Sequence, residues 1–126
     1  MKITNGAIVE LIETMNKFQG VTGKLAYALA KNRRLLSEHL KDFEEVKSGL
    51  IKKYGTEDEN GNITVSPDSE NYNAFLEEIV PVLNIAVDVD LFQLDKDEFE
   101  LPYCENATMN DYSLIEAVFV KQENKE

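Results

Sequence analysis

Residues 24–54 read KLAYALAKNRRLLSEHLKDFEEVKSGLIKKY. Leu25, Leu29, Leu36, Leu40, Phe43, Val46, Leu50 and Tyr54 recur at intervals of three and four once Asn32 is counted in the gap. At about 100° per residue these positions share one face of an α-helix. The other face carries Lys24, Lys31, Arg34, Glu38, Lys41, Glu45 and Lys52. Arg34–Glu38 and Lys41–Glu45 are opposite charges one turn apart, each contributing a few tenths of a kcal/mol. Lys52 and Lys53 suit the negative end of the helix dipole. Gly55 follows, where glycine accepts the left-handed conformation that ends many helices. The spacing therefore predicts one continuous helix from Lys24 to Tyr54, about 45 Å long. Gly49 is its candidate bend. An apolar stripe of that length needs cover from the rest of the chain, from a second copy, or from both.

Reading outward, Ile8, Leu11, Ile12, Met15 and Phe18 make a second amphipathic helix from about Thr4, with Thr4 or Asn5 as its cap. Gln19 to Gly23 breaks the two apart, with Thr22 as the next cap. After Gly55, Glu59-Asn60-Gly61-Asn62 is a tight-turn signal and Ile63-Thr64-Val65 a short strand. Asp68 or Ser69 caps a third helix with Tyr72, Phe75, Leu76, Ile79 and Val80 inside, and Pro81 kinks or ends it. Val87, Val89 and Leu91 alternate with Asp88 and Asp90, the period of a half-buried strand over 86–92. Thr108 or Asn110 opens a last helix with Leu114, Ile115, Val118 and Phe119 on its apolar face. The expected fold is α+β and predominantly helical: a long central amphipathic helix, two or three shorter helices and a small β element. Residues 1–121 form one domain and 122–126 a charged tail.

The chain has 126 residues and a net charge of −11. Ten Lys/Arg and six Asp/Glu fall in residues 1–55, and three Lys and eighteen Asp/Glu in 56–126, so the halves carry +4 and −15. Such asymmetry draws the halves together and leaves an acidic surface. Phosphate neutralisation needs a basic face, so direct nucleic-acid binding is not expected. No stretch is apolar enough for a membrane span or a signal peptide, and a cytoplasmic location is expected. Cys104 stands alone beside Glu105, which disfavours its thiolate. His39 has no ligand-type neighbour at helical spacing. The Glu57–Asn62 turn lacks a calcium loop's first acidic ligand and its closing glutamate. No phosphate-cradling, dinucleotide, nucleophile-elbow or zinc-protease motif is present. No cofactor, metal or catalytic residue is expected.

Asn32 interrupts the stripe. A buried amide must find partners or cost about 1–3 kcal/mol. It either ties down a neighbouring segment or sets register across a helix–helix seam. With Asp88, Asp90, Asp95 and Asp97 it makes up the expected set of interaction residues.

Tyr27-Ala28-Leu29-Ala30-Lys31-Asn32, Leu35/Leu36, Glu38, Leu40, Tyr54-Gly55, Asp58-Glu59-Asn60-Gly61, Phe75-Leu76-Glu77-Glu78, Val87-Asp88-Val89-Asp90 and Leu114 to Phe119 resemble a family of short phage- and prophage-encoded proteins from Gram-positive hosts. The likeness covers most of the chain; Glu98 to Ala107 departs from it. It implies the helix–helix–turn–helix–strand–helix order given above, and no active site comes with it. The expectation is an accessory protein acting by stoichiometric contact with a protein partner, as a homo-oligomer. The alternative is an acidic inhibitor of a host nuclease or defence complex.

Overall fold

The computed structural model describes residues 1–121; the expected tail, 122–126, lies outside the described residues. Five α-helices, α1 (Asn5–Met15), α2 (Gly23–His39), α3 (Lys41–Tyr54), α4 (Tyr72–Leu83) and α5 (Met109–Phe119), are joined by four short strands. These are β1 (Lys2–Thr4), β2 (Thr56–Glu57), β3 (Ile63–Thr64) and β4 (Ala86–Asp88). The fold is predominantly helical α+β, as the periodicity indicates.

The predicted continuous helix is two helices. The break falls at Leu40 (φ −85°, ψ −7°) and leaves Gly49 inside α3. The Leu40 N–H is shared between the Leu36 and Ser37 carbonyls, and the ladder restarts where Glu44 N–H donates to Leu40 O. Each piece has its own partner, α2 against α1 and α3 against α4. A break lets each apolar face turn to its own neighbour. The local charges fit two helix ends, with His39 in the last turn of α2 and Asp42 and Glu44 in the first turn of α3.

The core gathers Ile8, Leu11 and Met15 of α1, Ala28 and Leu36 of α2, and Ile115 and Phe119 of α5, all at or below 1% exposure. Apart from Ala28, each of these side chains contributes roughly 1.5–3 kcal/mol on burial. The stripe of residues 24–54 is covered unevenly. Leu25, Leu29, Leu36, Leu40 and Phe43 are buried, while Val46 is 43% exposed and Leu50 and Tyr54 are half-buried.

Thr4 is the cap chosen for α1, its hydroxyl accepting from Ala7 N–H at 3.1 Å. Thr22 stands at the start of α2 without a side-chain cap bond. The third helix begins later than expected, at Tyr72. Ser66 and Ser69 instead cap turns before it, through Asp68 N–H and Asn71 N–H. Pro81 sits in the last turn of α4, which closes two residues on. Thr108 caps α5 reciprocally: its hydroxyl accepts from Asp111 N–H, and Asp111 Oδ2 accepts from Thr108 N–H.

Gly55 is extended (φ −82°, ψ 165°) rather than left-handed, because the chain runs straight from α3 into β2. Glycine is required there for space. A Cβ would collide with the Ile51 carbonyl oxygen and lie 2.5 Å from Ile63 Cγ2. The hairpin turns on Gly61 (φ 82°), with Asp58 Oδ1 accepting from Asn60 and Asn62 N–H.

The alternating stretch 86–92 pairs as a strand only over 86–88. Lys2, Ile3 and Thr4 lie opposite Asp88, Val87 and Ala86 in an antiparallel ladder. β1 has three residues, and the pairing ends one position beyond it, where Val89 N–H donates to Met1 O at 2.9 Å and Val89 O accepts from the Met1 amino group at 3.1 Å. The chain then continues through a bridge between Leu94 and Val120.

Candidate protein interface

The segment 86–98 carries the four expected aspartates, pairs with β1 at its start and meets α2 at Phe92 and Glu98. Its backbone is held from inside by Asn32, which has no exposed surface. Asn32 Nδ2 donates to Phe92 O at 2.9 Å, and its Oδ1 accepts from Phe92 N–H at 2.8 Å. The amide thus pairs with a peptide unit as a neighbouring strand would. This is the tying-down role weighed for Asn32. The residue cannot meet a partner molecule, so it leaves the interaction set: its surface and both hydrogen-bonding ends are used within the chain.

Asp88, Asp90, Asp95 and Asp97 are all exposed. Alternation explains the first two, since Val89 between them is buried. Their electrostatic settings differ. The Lys121 ammonium lies 3.3 Å from Asp95, and the Met1 amino group 3.9 Å from Asp88. Asp90 forms no ion pair among the described residues. Lys96 to Glu98 make one 3-10 turn, which points Glu98 at Lys24. That hydrogen bond and charge hold the Lys24 ammonium above its ordinary pKa, with Asp95 and Asp97 adding to the effect. The Glu98 carboxyl is held below its ordinary value, by Lys24 first and then by the Asp95 backbone.

Lys24, Tyr27 and Lys31 lie at i, i+3 and i+7 of α2 and face this segment. The Tyr27 ring is 55% exposed and meets Phe92 edge to face, with centroids 5.2 Å apart and planes at 79°. The Lys31 ammonium stands 5.7 Å from the Tyr27 centroid and 5.4 Å from that of Phe92. Edge-to-face rings and a nearby cation are each favourable by roughly 0.5–1 kcal/mol at a surface. A rigid aromatic pair therefore sits in the middle of the acidic run, with Asp88 and Asp90 before it in the chain and Asp95 and Asp97 after.

The sequence reading placed the aspartates and missed Tyr27 and Phe92 as a pair. The available signal was a tyrosine at i−4 to a lysine on the charged side of the α2 stripe. The residues weighed for chemistry fall elsewhere. His39 is exposed at the far end of α2. Cys104 is buried, its Sγ 3.8 Å from the Gln19 carbonyl oxygen. Among the described residues no group of three or more His, Cys, Asp or Glu is placed to hold a metal ion. No helix of the described residues is long and apolar enough to cross a membrane.

Compared with known protein families, with curated proteins and with solved structures, the chain has no significant match.

Proposed function

We propose that this chain acts without catalysis, by stoichiometric protein–protein contact, as an oligomeric accessory protein of the phage or prophage type. The phage assignment rests on the quoted motif likeness alone. The contact is carried by the acidic edge, and the observation behind it is the exposed Tyr27 ring braced on Phe92. Tyrosine is enriched among the residues that dominate binding energy, and one held rigid loses little freedom on docking. The aspartates around it select a basic partner and speed its approach.

A second reading is an inhibitor that occupies a basic, nucleic-acid-binding groove of a host nuclease or defence complex. It is favoured by Asp90 and Asp97, exposed carboxylates outside the ion pairs of the segment. The two readings separate in one experiment. Proteins captured from host lysate by the intact chain are compared with those captured by Tyr27→Ala and by the combined Asp88→Asn, Asp90→Asn, Asp95→Asn, Asp97→Asn variant. Contact centred on the aromatic pair predicts loss with either. A charge-only mimic predicts loss with the aspartate variant, steep weakening with salt, and indifference to Tyr27→Ala. Binding unchanged in both variants would remove this edge as the interface.

A further inference from the structure

α3 fully buries Phe43 alone and leaves Val46 43% exposed. Two depressions lie along it, and Glu44 lines both. One, of about 260 Å³, is floored by Val9, Ile12 and Leu40 and rimmed by Glu13 and Glu44. The other, of about 400 Å³, is floored by Ile51 and Ile63, with Lys47 and Lys52 beside them. The lining positions Ser37, Leu40, Glu44, Ser48 and Ile51 follow one another at intervals of three and four. Glu44, Ser48 and Ile51 share one face of α3, and Ser37 and Leu40 at the end of α2 lead into this stripe. It carries an apolar hollow at each end, acid toward one end and base toward the other. Lys41 flanks the stripe and lines neither hollow.

We propose that this stripe is the contact between two copies of the chain, packed antiparallel about a two-fold axis. An isologous contact requires a surface complementary to itself. Placing the axis between positions 45 and 46 sets Glu44 of one copy opposite Lys47 of the other, and Ile51 toward the other copy's Val9 and Ile12. Each pairing occurs twice. Each Val9–Ile12 hollow then faces the other copy's Ile51, and both charge pairs are of opposite sign. Ser48, near the axis, is small enough for the helices to approach. A parallel arrangement sets Glu44 on Glu44 and Lys47 on Lys47, which like-charge repulsion opposes. This identifies the surface behind the oligomeric part of the reading above. It uses none of the acidic-edge residues, so the two proposals fail separately.

Sedimentation equilibrium tests it, at about 0.15 M salt so that the repulsion between two copies of net charge −11 is screened beyond roughly 8 Å. The weight-average mass should climb with concentration from 14.3 kDa toward twice that value. The pair Glu13→Lys, Glu44→Lys makes the stripe basic throughout, and Lys47→Glu, Lys52→Glu makes it acidic. Each variant alone should stay monomeric, and an equimolar mixture should recover the dimer. Glu13, Glu44 and Lys52 are exposed and Lys47 is half-buried, and an unchanged circular-dichroism spectrum and melting midpoint confirm that each variant is folded. A strict monomer at millimolar concentration overturns the proposal and leaves the stripe to a helix of another chain. So does a dimer that survives in both variants, or a mixture that stays monomeric.

Discussion

Asn32 is the residue on which the packing of segment 86–98 depends. Its two hydrogen bonds join positions sixty apart in the chain. Replacing it with leucine keeps the branched outline, adds some bulk, and strands the Phe92 N–H and C=O in a half-buried place. We expect Asn32→Leu to cost about 2–4 kcal/mol in denaturant unfolding, since each unsatisfied buried group costs about 1–3 kcal/mol. The Phe92 amide should also lose hydrogen-exchange protection more than the core amides of α1. A loss below about 0.5 kcal/mol, the usual range for a plain surface substitution, would mean that water replaces the amide. The same residue shows what the sequence can and cannot disclose. Its spacing marked it as buried and needing partners, which is a local inference. The partner, Phe92, was invisible because only the fold brings them together.

At the scale of elements, two glycines, one inside α3 and one just after it, have opposite roles. Gly49 has open space around it, nothing lying within 4 Å of an added Cβ, so Gly49→Ala should stabilise α3 by about 0.5–1 kcal/mol. Gly55 is hemmed in by Ile51 and Ile63. Gly55→Ala should destabilise by about 1–3 kcal/mol, as overpacking does. Urea midpoints of the two variants should move in opposite directions from the parent, and a shared direction would contradict the packing described. The local signals made α1, α5, the Asn60-Gly61 turn and most of the apolar face of α4 legible, but Val80, expected inside, is 42% exposed, and β2 reads as part of the polar turn. The Leu40 break was not, because no glycine or proline marks it and the three-four spacing runs through it unchanged. Its cause is tertiary, the different neighbours of α2 and α3. β1 escaped notice because Lys2-Ile3-Thr4 is too short to show a period. The end of β4 at Asp88 likewise follows from the length of β1.

For the molecule as a whole, the opposed charges of the two halves are joined by specific pairs. Lys17 meets Asp111 at 3.0 Å, Lys53 meets Glu78 at 3.6 Å, and Lys24 meets Glu98. The Asp111 carboxyl is held below its ordinary pKa by the Thr108 backbone N–H first and by Lys17 next. That of Glu78 is lowered by the Tyr54 hydroxyl first and then by Lys53. With folded pKa values depressed, the unfolded chain binds more protons in the window between the two values, so stability there rises with pH. The contribution is complete above the ordinary carboxylate range and is lost as pH falls through the depressed values. The stability of the parent should fall steeply below about pH 4. Asp111→Asn should flatten that limb while lowering stability at neutral pH. An acid limb of unchanged slope, read from urea midpoints across pH, would show that Asp111 is not a main source of it.

The Asn32–Phe92 pairing has a further consequence. A stretch that alternates apolar and polar residues and has unmet N–H and C=O groups is a template on which further strands assemble into fibres. Val89 is spared, its N–H and C=O both bonded to Met1, but residues 90–92 beyond it have no strand beside them among the described residues. Proteins commonly blunt such edges with proline, lysine or a bulge. Here an asparagine reaching across from a helix occupies both groups of Phe92, so one side chain guards solubility as well as shape.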